Sequence, residues 1–373
     1  MKRVSINYLA IVAIAVSAVC MSCKKEDNIP QKGTEVMQIT IETTGVYAIR
    51  MNGTGTAKVD WDDGLAIDTK PLKPLTADGE TISFGHRYSD EGTYVIKIYG
   101  ENITSLDCGG YDLIELDVSR NLALTHLDCC CGRLTSLDVR KNTALTWLSC
   151  GANQLTELYL RNNTALTFLE CGSNLLTELD INNNIALEYL TCYVNQLTDL
   201  DASRNTALKE LFCNFNALTS LDISKNTALA LMRCDNNLLA ELDVSNNIVL
   251  RELNCHGNQL RRLNVAGCAA LGFLICHRNQ LPALDVSKNP ALEILLCDEN
   301  QLTELTVTNN IALVSLTVDN NFFTSETLDN LFRTLHSRTI SGGKFICIGG
   351  NEGTDACNRD IAANRGWTVD ILQ

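Results

Sequence analysis

The hydrophobic positions of this chain repeat with a period of 21 residues over most of its length. Ten cysteines mark the period: Cys108, Cys129, Cys150, Cys171, Cys192, Cys213, Cys234, Cys255, Cys276 and Cys297. The unit that starts at Leu145 reads LTWLSCGANQ and continues as LTELYLRNNTA. Each period therefore contains two arcs, and each arc follows the pattern L-x-x-L-x-[C/L/V/I]-x-x-N.

A repeat of this length cannot bury its own apolar face, so successive repeats must stack on one another as coils of a solenoid. If the strands are parallel and in register, residues 21 apart form columns with a spacing of about 4.8 Å. The leucines and cysteines are then inward columns. Val318 stands where the next cysteine would fall, which indicates that the cysteine position serves packing.

The motif L-x-x-L-x-C-x-x-N resembles the leucine-rich repeat signature, and the resemblance covers residues 103–321. It implies a mainly β chain built as a parallel-stranded leucine-rich repeat solenoid. Scaffolds of this family hold many different partners, so the resemblance does not name a ligand. The sequence leaves open whether the second arc of each repeat is a strand or irregular.

The first residues have the layout of an export signal. Lys2 and Arg3 precede the apolar run Tyr8–Met21, which is too short for a membrane-spanning helix. Ser22 and Cys23, followed by a polar run, resemble a bacterial lipoprotein signal in which Cys23 is acylated. The alternative is a plain cleaved secretory signal.

The residues that follow Cys23 predict where in the cell the protein is located. The resemblance implies a signal peptide over residues 1–22 and a lipid anchor with a tether over 23–35. The short charged run after Cys23 is similar to the surface-export tag of some Gram-negative outer-membrane lipoproteins. We expect a surface-exposed outer-membrane lipoprotein that meets the membrane through its lipid alone.

Residues 36–102 show β alternation instead of leucine periodicity, as in Ile39–Glu42, Tyr47–Met51 and Thr93–Tyr99. They predict a small β-sandwich. Val59–Gly64 and His86–Ile98 resemble a PKD-type immunoglobulin-like module, although Asp62 stands where that family often has glycine.

The same segment contains an acidic turn. Asp60, Asp62 and Asp63 lie close together in the sequence. They could bind calcium, which prefers carboxylate oxygens, or simply form a tight turn.

Residues 322–373 break the repeat and predict an α/β cap over the end of the solenoid. Thr324 or Ser325 precedes an amphipathic helix at Glu326–Leu335. A strand at Lys344–Asn351 and a second helix at Thr354–Asn364 follow. Cys347 and Cys357 are the best candidates for a disulfide.

Three polar columns run along the solenoid. Two consist of asparagines, exemplified by Asn216 and Asn205, and a buried amide at each coil can satisfy backbone groups at a corner. The third consists of Asp117, Asp138, Asp180, Asp201, Asp222, Asp243 and Asp285. It predicts either a solvated, hydrogen-bonded ladder or carboxylates bridged by a cation.

The strand positions beside the cysteines vary most, and there we expect a partner to bind. Four aromatic or imidazole rings stand on consecutive coils, with further rings and arginines nearby, as in many protein interfaces and sugar-stacking platforms. Alternatively, the rings cover one another or the sandwich. The predicted partner-binding residues are His126, Trp147, Phe168, Tyr189, Tyr193, Phe212, Phe215, Arg233, Phe273 and Arg278.

One further column contains Asp235, His256, His277 and Asp298. Two imidazoles flanked by carboxylates could hold a zinc-like ion, but neighbouring polar residues on a solvated face explain the column equally well. The cysteine column offers neither tetrahedral ligands nor favourable disulfide spacing. We therefore predict no metal and no cofactor.

Net charge and the motifs present narrow the range of possible functions. The net charge of −14 argues against nucleic acid, and we recognise no catalytic constellation. The sequence predicts a monomeric, non-enzymatic surface protein for protein–protein interaction or adhesion. A glycan-binding component of an outer-membrane nutrient-uptake system and a structural envelope lipoprotein are the alternatives.

Overall fold

The computed structural model describes residues 35–76 and 80–371, which lie within one compact unit. The predicted signal peptide, the lipid attachment at Cys23 and most of the tether fall outside these residues. Within the described ranges, no helix is long and apolar enough to cross a membrane.

A small antiparallel sandwich begins the described chain. Its strands are β1 (Glu35–Thr43), β2 (Val46–Thr54), β3 (Thr56–Asp60), β4 (Asp68–Pro71), β5 (Ile82–Arg87), β6 (Gly92–Tyr99), β7 (Asn102–Asp107) and β8 (Leu113–Asp117). The order β4-β3-β6-β1-β8 makes one sheet, and β5-β2-β7 belongs to the other. Alternate residues such as Ile39, Ile41, Ile49 and Met51 are fully buried, which confirms the predicted alternation.

Both sheets of the sandwich continue into the solenoid. Strand β7 pairs antiparallel with β2 on one side and parallel with His126–Asp128 on the other. Strand β8, on the second arc of the first coil, pairs antiparallel with β1. The sandwich thus covers the first coil, and hydrogen bonding passes without a break from one part to the next.

The solenoid is parallel and has about 13 turns. Its strands are β9 (His126–Asp128), β10 (Trp147–Ser149), β11 (Phe168–Glu170), β12 (Tyr189–Thr191), β13 (Glu210–Phe212), β14 (Leu231–Arg233), β15 (Glu241–Asp243), β16 (Glu252–Asn254), β17 (Arg262–Asn264), β18 (Phe273–Ile275), β19 (Ile294–Leu296) and β20 (Ser315–Thr317). The leucine in the middle of nearly every first-arc strand is buried, and the residues on either side of it face outward. Residues 21 apart pair directly, for example Trp147 with Phe168, so the predicted register is confirmed.

The second arc is mostly irregular. Among the described residues of the repeats after β8, only β15 and β17 form a strand pair there. The aspartate column lies at this arc, and each carboxylate accepts a hydrogen bond from the backbone amide two residues on, as Asp201 does from Ser203 at 2.9 Å. The aspartates therefore fix a turn, as the hydrogen-bonded alternative predicted.

The two asparagine ladders differ in hydrogen bonding. Asn216 donates through Nδ2 to the carbonyls of Cys192 (3.0 Å) and Cys213 (3.1 Å), and its Oδ1 accepts from the Leu197 amide at 3.0 Å. Asn205 donates to the carbonyls of Ile181 (3.1 Å) and Asn184 (2.8 Å). The Oδ1 atom of Asn205 is buried with no hydrogen-bond partner among the described residues.

Cys268 occupies one position of the Asn205 ladder. Its Sγ lies 3.2 Å from the Val244 carbonyl and 3.5 Å from the Asn247 carbonyl. These carbonyls correspond to the two acceptors of the asparagine side chain in the other coils. A thiol can therefore replace an amide in this ladder, although it offers a single, weaker donor.

The cap closes the far end of the sheet. It contains α1 (Ser325–Thr334), β21 (Phe345–Cys347), α2 (Asp360–Ala363) and β22 (Thr368–Asp370), and β21 pairs in parallel with β20. The first helix is confirmed, with Thr324 as its N-cap. The second helix is shorter than predicted, because residues 352–356 form turns in which the Thr354 hydroxyl donates to the Ile348 carbonyl at 2.7 Å.

The cap contains a buried lysine. The Lys344 side chain donates from Nζ to the carbonyls of His336 (3.1 Å), Arg338 (2.8 Å) and Arg365 (2.7 Å). The residue is 3% exposed, and burial lowers the pKa of its ammonium group. All three ammonium hydrogens have acceptors, so this charge joins three segments of the cap.

The proposed disulfide between Cys347 and Cys357 does not form in the structure, where both are free thiols. Cys347 pairs in register with Thr317, on the outer side of the sheet. Cys357 packs against the apolar core and lies 3.4 Å from the Thr354 carbonyl. Sequence spacing could not show that the two side chains lie on different sides of β21.

Candidate binding face

The outer side of the parallel sheet formed by β9–β14, β16 and β18–β20 is the variable surface of this protein, and we call it the strand face. Each coil places two side chains there, on either side of the buried leucine. The side chains that follow the cysteines lie at its edge. The in-register pairing of the strands fixes the neighbours of every residue on the strand face.

Five rings form a continuous row along the strand face, which we call the aromatic ladder. The ladder consists of His126, Trp147, Phe168, Tyr189 and Phe212, on β9 to β13. All five side chains are partly buried. The structure thus brings together half of the residues predicted to bind a partner.

The central rings of the ladder stack face to face. Ring centroids are 4.8 Å apart between Trp147 and Phe168, at an angle of 11°, and 4.5 Å apart between Phe168 and Tyr189, at 3°. These separations match the spacing of about 4.8 Å between adjacent strands. The stack extends to His126 at 6.5 Å and ends at Phe212, which meets Tyr189 edge-on at 5.7 Å.

Stacking decides which part of each ring can meet a partner. The faces of Phe168 are covered by its neighbours on both sides, so its outer edge remains for contact. The ladder therefore presents a rigid ridge of ring edges. The rings thus cover one another in part, as one alternative expected, and the contact surface for a partner stays a prediction.

A fixed carboxylate lies beside the ladder. Glu170 accepts hydrogen bonds through Oε2 from the Ser149 hydroxyl (3.0 Å) and the Gly151 amide (2.9 Å), and through Oε1 from the Gly172 amide (3.2 Å). Burial raises the pKa of its carboxyl group. A Cβ atom on Gly151 would lie 2.1 Å from this carboxylate.

Sequence reasoning missed Glu170. The available signal was glycine at positions 151 and 172, in a column where the coils that follow have larger residues, because the missing side chains leave room for the carboxylate. The ring of Tyr193 makes a similar use of Gly172, whose added Cβ would lie 2.9 Å from the ring. In these two coils a neighbouring side chain packs against the glycine, whereas Gly109 in the same column lies against the backbone of Cys130.

Arg233 continues the strand face beyond Phe212. Its guanidinium lies 5.5 Å from the centroid of the Phe212 ring and donates to the Glu252 carboxylate at 2.9 Å. Phe215 stands at the edge with φ of 53° and is 51% exposed. These residues lie next to the ladder and extend it with one cation and one exposed ring.

Phe273 and Arg278 do not join the ladder. Leu231 and Glu252 occupy the coils between Phe212 and Phe273, and Arg278 pairs with Glu299 at 3.0 Å. Phe273 instead belongs to a second apolar patch with Ile275, Ile294 and Leu296. The sequence prediction selected aromatic rings and arginines at these positions, such as Phe212 and Arg233, and passed over the aliphatic Ile275 and Leu296.

The histidine column contains a stacked imidazole pair. His256 and His277 have ring centroids 4.5 Å apart and an angle of 7°, and burial lowers the pKa of His256. The Asp235 carboxylate is 3.9 Å from His256, and that of Asp298 is 4.0 Å from His277.

The stacked pair is poorly arranged for a metal. The ring nitrogens of parallel stacked imidazoles do not converge on one point, as metal ligands must. Among the described residues, no group of three or more His, Cys, Asp or Glu side chains could hold a metal ion.

The ten cysteines that recur every 21 residues, which we call the cysteine column, are buried free thiols. Burial raises the pKa of Cys192 to about 12, and the pKa values of the other nine are raised for the same reason. A thiol that remains protonated is a poor nucleophile and a poor metal ligand. The cysteine column consequently acts as a row of small hydrophobic side chains in the core.

The acidic turn of the sandwich is closed by its own hydrogen bonds. Asp62 accepts from the Val95 amide at 2.9 Å, and Asp63 accepts from the Leu65 amide at 2.9 Å. His86 lies 3.1 Å from the second oxygen of Asp63. These carboxylates are engaged in the turn, in agreement with the tight-turn interpretation.

No protein-family model matches the chain, and no curated protein matches it either. Solved structures do match. The functional domain of InlJ from Listeria monocytogenes, described as including a cysteine ladder, is 32% identical, with a TM-score of 0.62. The match covers 73% of this chain and 60% of the InlJ chain, so this protein spans about three fifths of that structure.

Two further matches concern the fold alone. The internalin InlF from Listeria monocytogenes is 20% identical over 72% of this chain and 87% of its own, with a TM-score of 0.57. A leucine-rich repeat protein from Leptospira interrogans is 22% identical over 68% and 74%, with a TM-score of 0.56. By its 21-residue repeats, its parallel sheet and its column of cysteines, this chain is a leucine-rich repeat solenoid protein that is similar to the internalin InlJ.

Proposed function

We propose that this chain is a non-enzymatic binding protein that recognises a protein partner through the aromatic ladder. The observation that carries the proposal is the unbroken row of five rings with exposed edges, beside the fixed carboxylate of Glu170 and the cation of Arg233. Rigid aromatic side chains bind at a small cost in conformational entropy. Tryptophan, tyrosine and arginine also dominate the energetics of protein interfaces.

The geometry of the rings favours a protein over a glycan on this face. A sugar ring that packs on an aromatic side chain needs an open ring face, and the faces in the middle of the ladder are only 4.5 to 4.8 Å apart. The edges of stacked rings suit the side chains of another protein. The strand face therefore supports the protein-binding alternative more strongly than the glycan-binding one.

The location belongs to the same proposal. We place the protein on the bacterial outer surface, anchored through a lipid on Cys23, because Ser22 and Cys23 follow an apolar run and precede a charged, polar tether. Acylation of this kind would leave the solenoid free to meet partners in the medium.

Site-specific photo-crosslinking tests the proposal. A benzophenone amino acid replaces Phe212 at the end of the ladder, and the same substitution at Asp222 on the aspartate column is the matched control. We expect a discrete protein adduct from position 212 alone. Excess wild-type protein should compete for that adduct, whereas a variant with Trp147, Phe168 and Tyr189 changed to alanine should not.

The other functions give different results in that experiment. A structural envelope lipoprotein without a specific ligand predicts equal, diffuse adducts from both positions. A competitor variant that works as well as the wild type would show that the ladder is not the binding site.

A further inference from the structure

The aspartate column on the second arc is interrupted at one coil by an aromatic residue. In the neighbouring coils, Asp138 accepts from the Arg140 amide at 3.0 Å and Asp180 accepts from the Asn182 amide at 3.1 Å. Tyr159 occupies the position between them, and its hydroxyl donates to the Glu157 carboxylate at 2.7 Å. This coil therefore lacks a carboxylate to close its turn and exposes a phenol ring in its place.

Tyr159 lies in an open cleft of about 460 Å³, a size within the range of small-ligand sites. The ring is 54% exposed. Two other clefts on the second arc have similar volumes of about 400 and 510 Å³, but no aromatic side chain lines either of them. The ring distinguishes the cleft at Tyr159 from features that the repeat itself produces.

The polar groups around the ring are partly held in place. Arg140 makes two side-chain hydrogen bonds to Asp138, at 2.9 and 2.8 Å, and its guanidinium lies 5.8 Å from the Tyr159 ring centroid. Asn162 donates to the Arg140 carbonyl at 3.1 Å. Arg161 has the weakest contact, because its side chain is 78% exposed and lies 3.7 Å from the Asp180 carboxylate.

The charges of the lining identify the class of ligand. Two guanidinium groups, from Arg140 and Arg161, and two carboxylates, from Glu178 and Asp180, line the cleft, and Arg140 is already paired with Asp138 beside it. An anionic ligand would meet the carboxylates, and a cationic one would meet the guanidinium groups. A neutral polyol can donate to the carboxylates and accept from the guanidinium groups while its apolar side contacts the ring.

We propose that the cleft at Tyr159 is a binding site for a neutral sugar, on a different face from the aromatic ladder and independent of the protein partner. The sugar would lie against the Tyr159 ring, with its hydroxyl groups on Arg161 and Asp180. A shallow cleft that encloses only part of a monosaccharide predicts a Kd of millimolar order.

Saturation-transfer NMR with the full-length protein tests this site, with glucose, galactose, mannose and N-acetylglucosamine as probes and glucuronate as the charged comparison. Tyr159→Asp is the decisive variant, since it restores the residue that the column has in the neighbouring coils. It should fold, because it regains the amide hydrogen bond at Arg161. Thr306→Asp makes the corresponding change in the same column, 147 residues further along the chain.

We expect at least one neutral sugar to receive saturation from the wild type and from Thr306→Asp, and this transfer to fall at least tenfold in Tyr159→Asp. A transfer that is unchanged in Tyr159→Asp overturns the site. Binding of glucuronate alone, or of none of the probes, overturns the assignment of a neutral sugar. The crosslinking result at Phe212 does not depend on any of these outcomes.

Discussion

The two asparagine ladders are predicted to differ in their tolerance of cysteine. Asn205 belongs to the ladder in which Cys268 already occurs, whereas Asn216 belongs to the other ladder. The substitutions Asn205→Cys and Asn216→Cys place the same side chain at two corners on adjacent coils. The comparison isolates the hydrogen bonding of the amide from the general effect of a core substitution.

The hydrogen bonds give the expected magnitudes. The acceptors of Asn205 also receive backbone amides, from Asn184 to Ile181 and from Leu187 to Asn184, each at 3.0 Å. Replacement by cysteine removes a secondary donor and also the unpartnered Oδ1 atom. Because these two effects oppose each other, Asn205→Cys should lower the free energy of unfolding by about 1 kcal/mol or less.

Asn216→Cys has a larger expected cost. Its Oδ1 accepts from the Leu197 amide, and cysteine leaves that buried donor without a partner. An unsatisfied buried amide costs about 1–3 kcal/mol, and the loss of the Nδ2 hydrogen bonds adds about 1 kcal/mol. We expect the free energy of unfolding to fall by about 2–4 kcal/mol.

Urea unfolding followed by circular dichroism measures both costs. Solenoids can unfold in parts, so amide hydrogen exchange in the altered coil should accompany the global measurement. The reasoning predicts faster exchange near Leu197 in Asn216→Cys. It is refuted if Asn205→Cys destabilises the protein as much as Asn216→Cys, or more.

Three further predictions concern other parts of the molecule. In the native state a maleimide should modify the exposed Cys131, while the buried thiols of the cysteine column, such as Cys192, should react only after unfolding. Mass spectrometry of the labelled peptides would contradict this if Cys192 reacted as fast as Cys131. Hydrogen bonds from Ser224 lower the pKa of Asp222 in the folded state below its ordinary value of 3.8, so the stabilisation by this carboxylate is present above pH 4 and is lost as the pH falls through the folded pKa. Asp222→Asn should therefore reduce the acid-induced fall in Tm, since asparagine can keep the turn as Asn264 does with the Ala266 amide at 3.2 Å. An unchanged dependence of Tm on pH would count against this. Lys344→Met removes the donor that three carbonyls share and should lower the free energy of unfolding by about 2–5 kcal/mol. Calorimetry measures this change, and the control Lys288→Met, at an exposed position, should leave the stability almost unchanged.

The structural features that follow from the 21-residue period could be predicted from the sequence. The fixed 21-residue spacing determined the parallel register, the inward leucines and cysteines, and the rings that share one column, such as Trp147 and Phe168. Val318 identified the packing role of the cysteine position, and that position is buried throughout. Periodicity is informative here because each coil repeats the environment of the one before it.

Features that depend on side-chain conformation could not be read from the period. Residue spacing places Phe168 beside Tyr189, but only the rotamers show whether the rings offer faces or edges. The same limit explains Glu170, which folds onto amides of the edge column. The separation of Cys347 from Cys357 depends on the path of an irregular loop, for which the repeat offers no template.

The junction with the sandwich was also beyond the reach of pattern reading. The alternation of residues 36–102 predicted strands but not their partners. Strand β7 pairs antiparallel with the sandwich and parallel with the first coil, a combination that depends on tertiary contacts. The sandwich consequently protects the edge that would otherwise be open at the start of the solenoid.

The affinity of the protein crosslinked from position 212 tests the central claim most directly. Titration calorimetry would compare the wild type with the variant in which Trp147, Phe168 and Tyr189 are alanine, and with a control in which Asp201, Asp222 and Asp243 are asparagine. Each ring at the centre of an interface contributes about 1–2 kcal/mol, so the ring variant should bind about 100-fold more weakly or worse. The control should bind like the wild type, and a ring variant within threefold of the wild-type Kd would contradict the assignment of the aromatic ladder as the binding site.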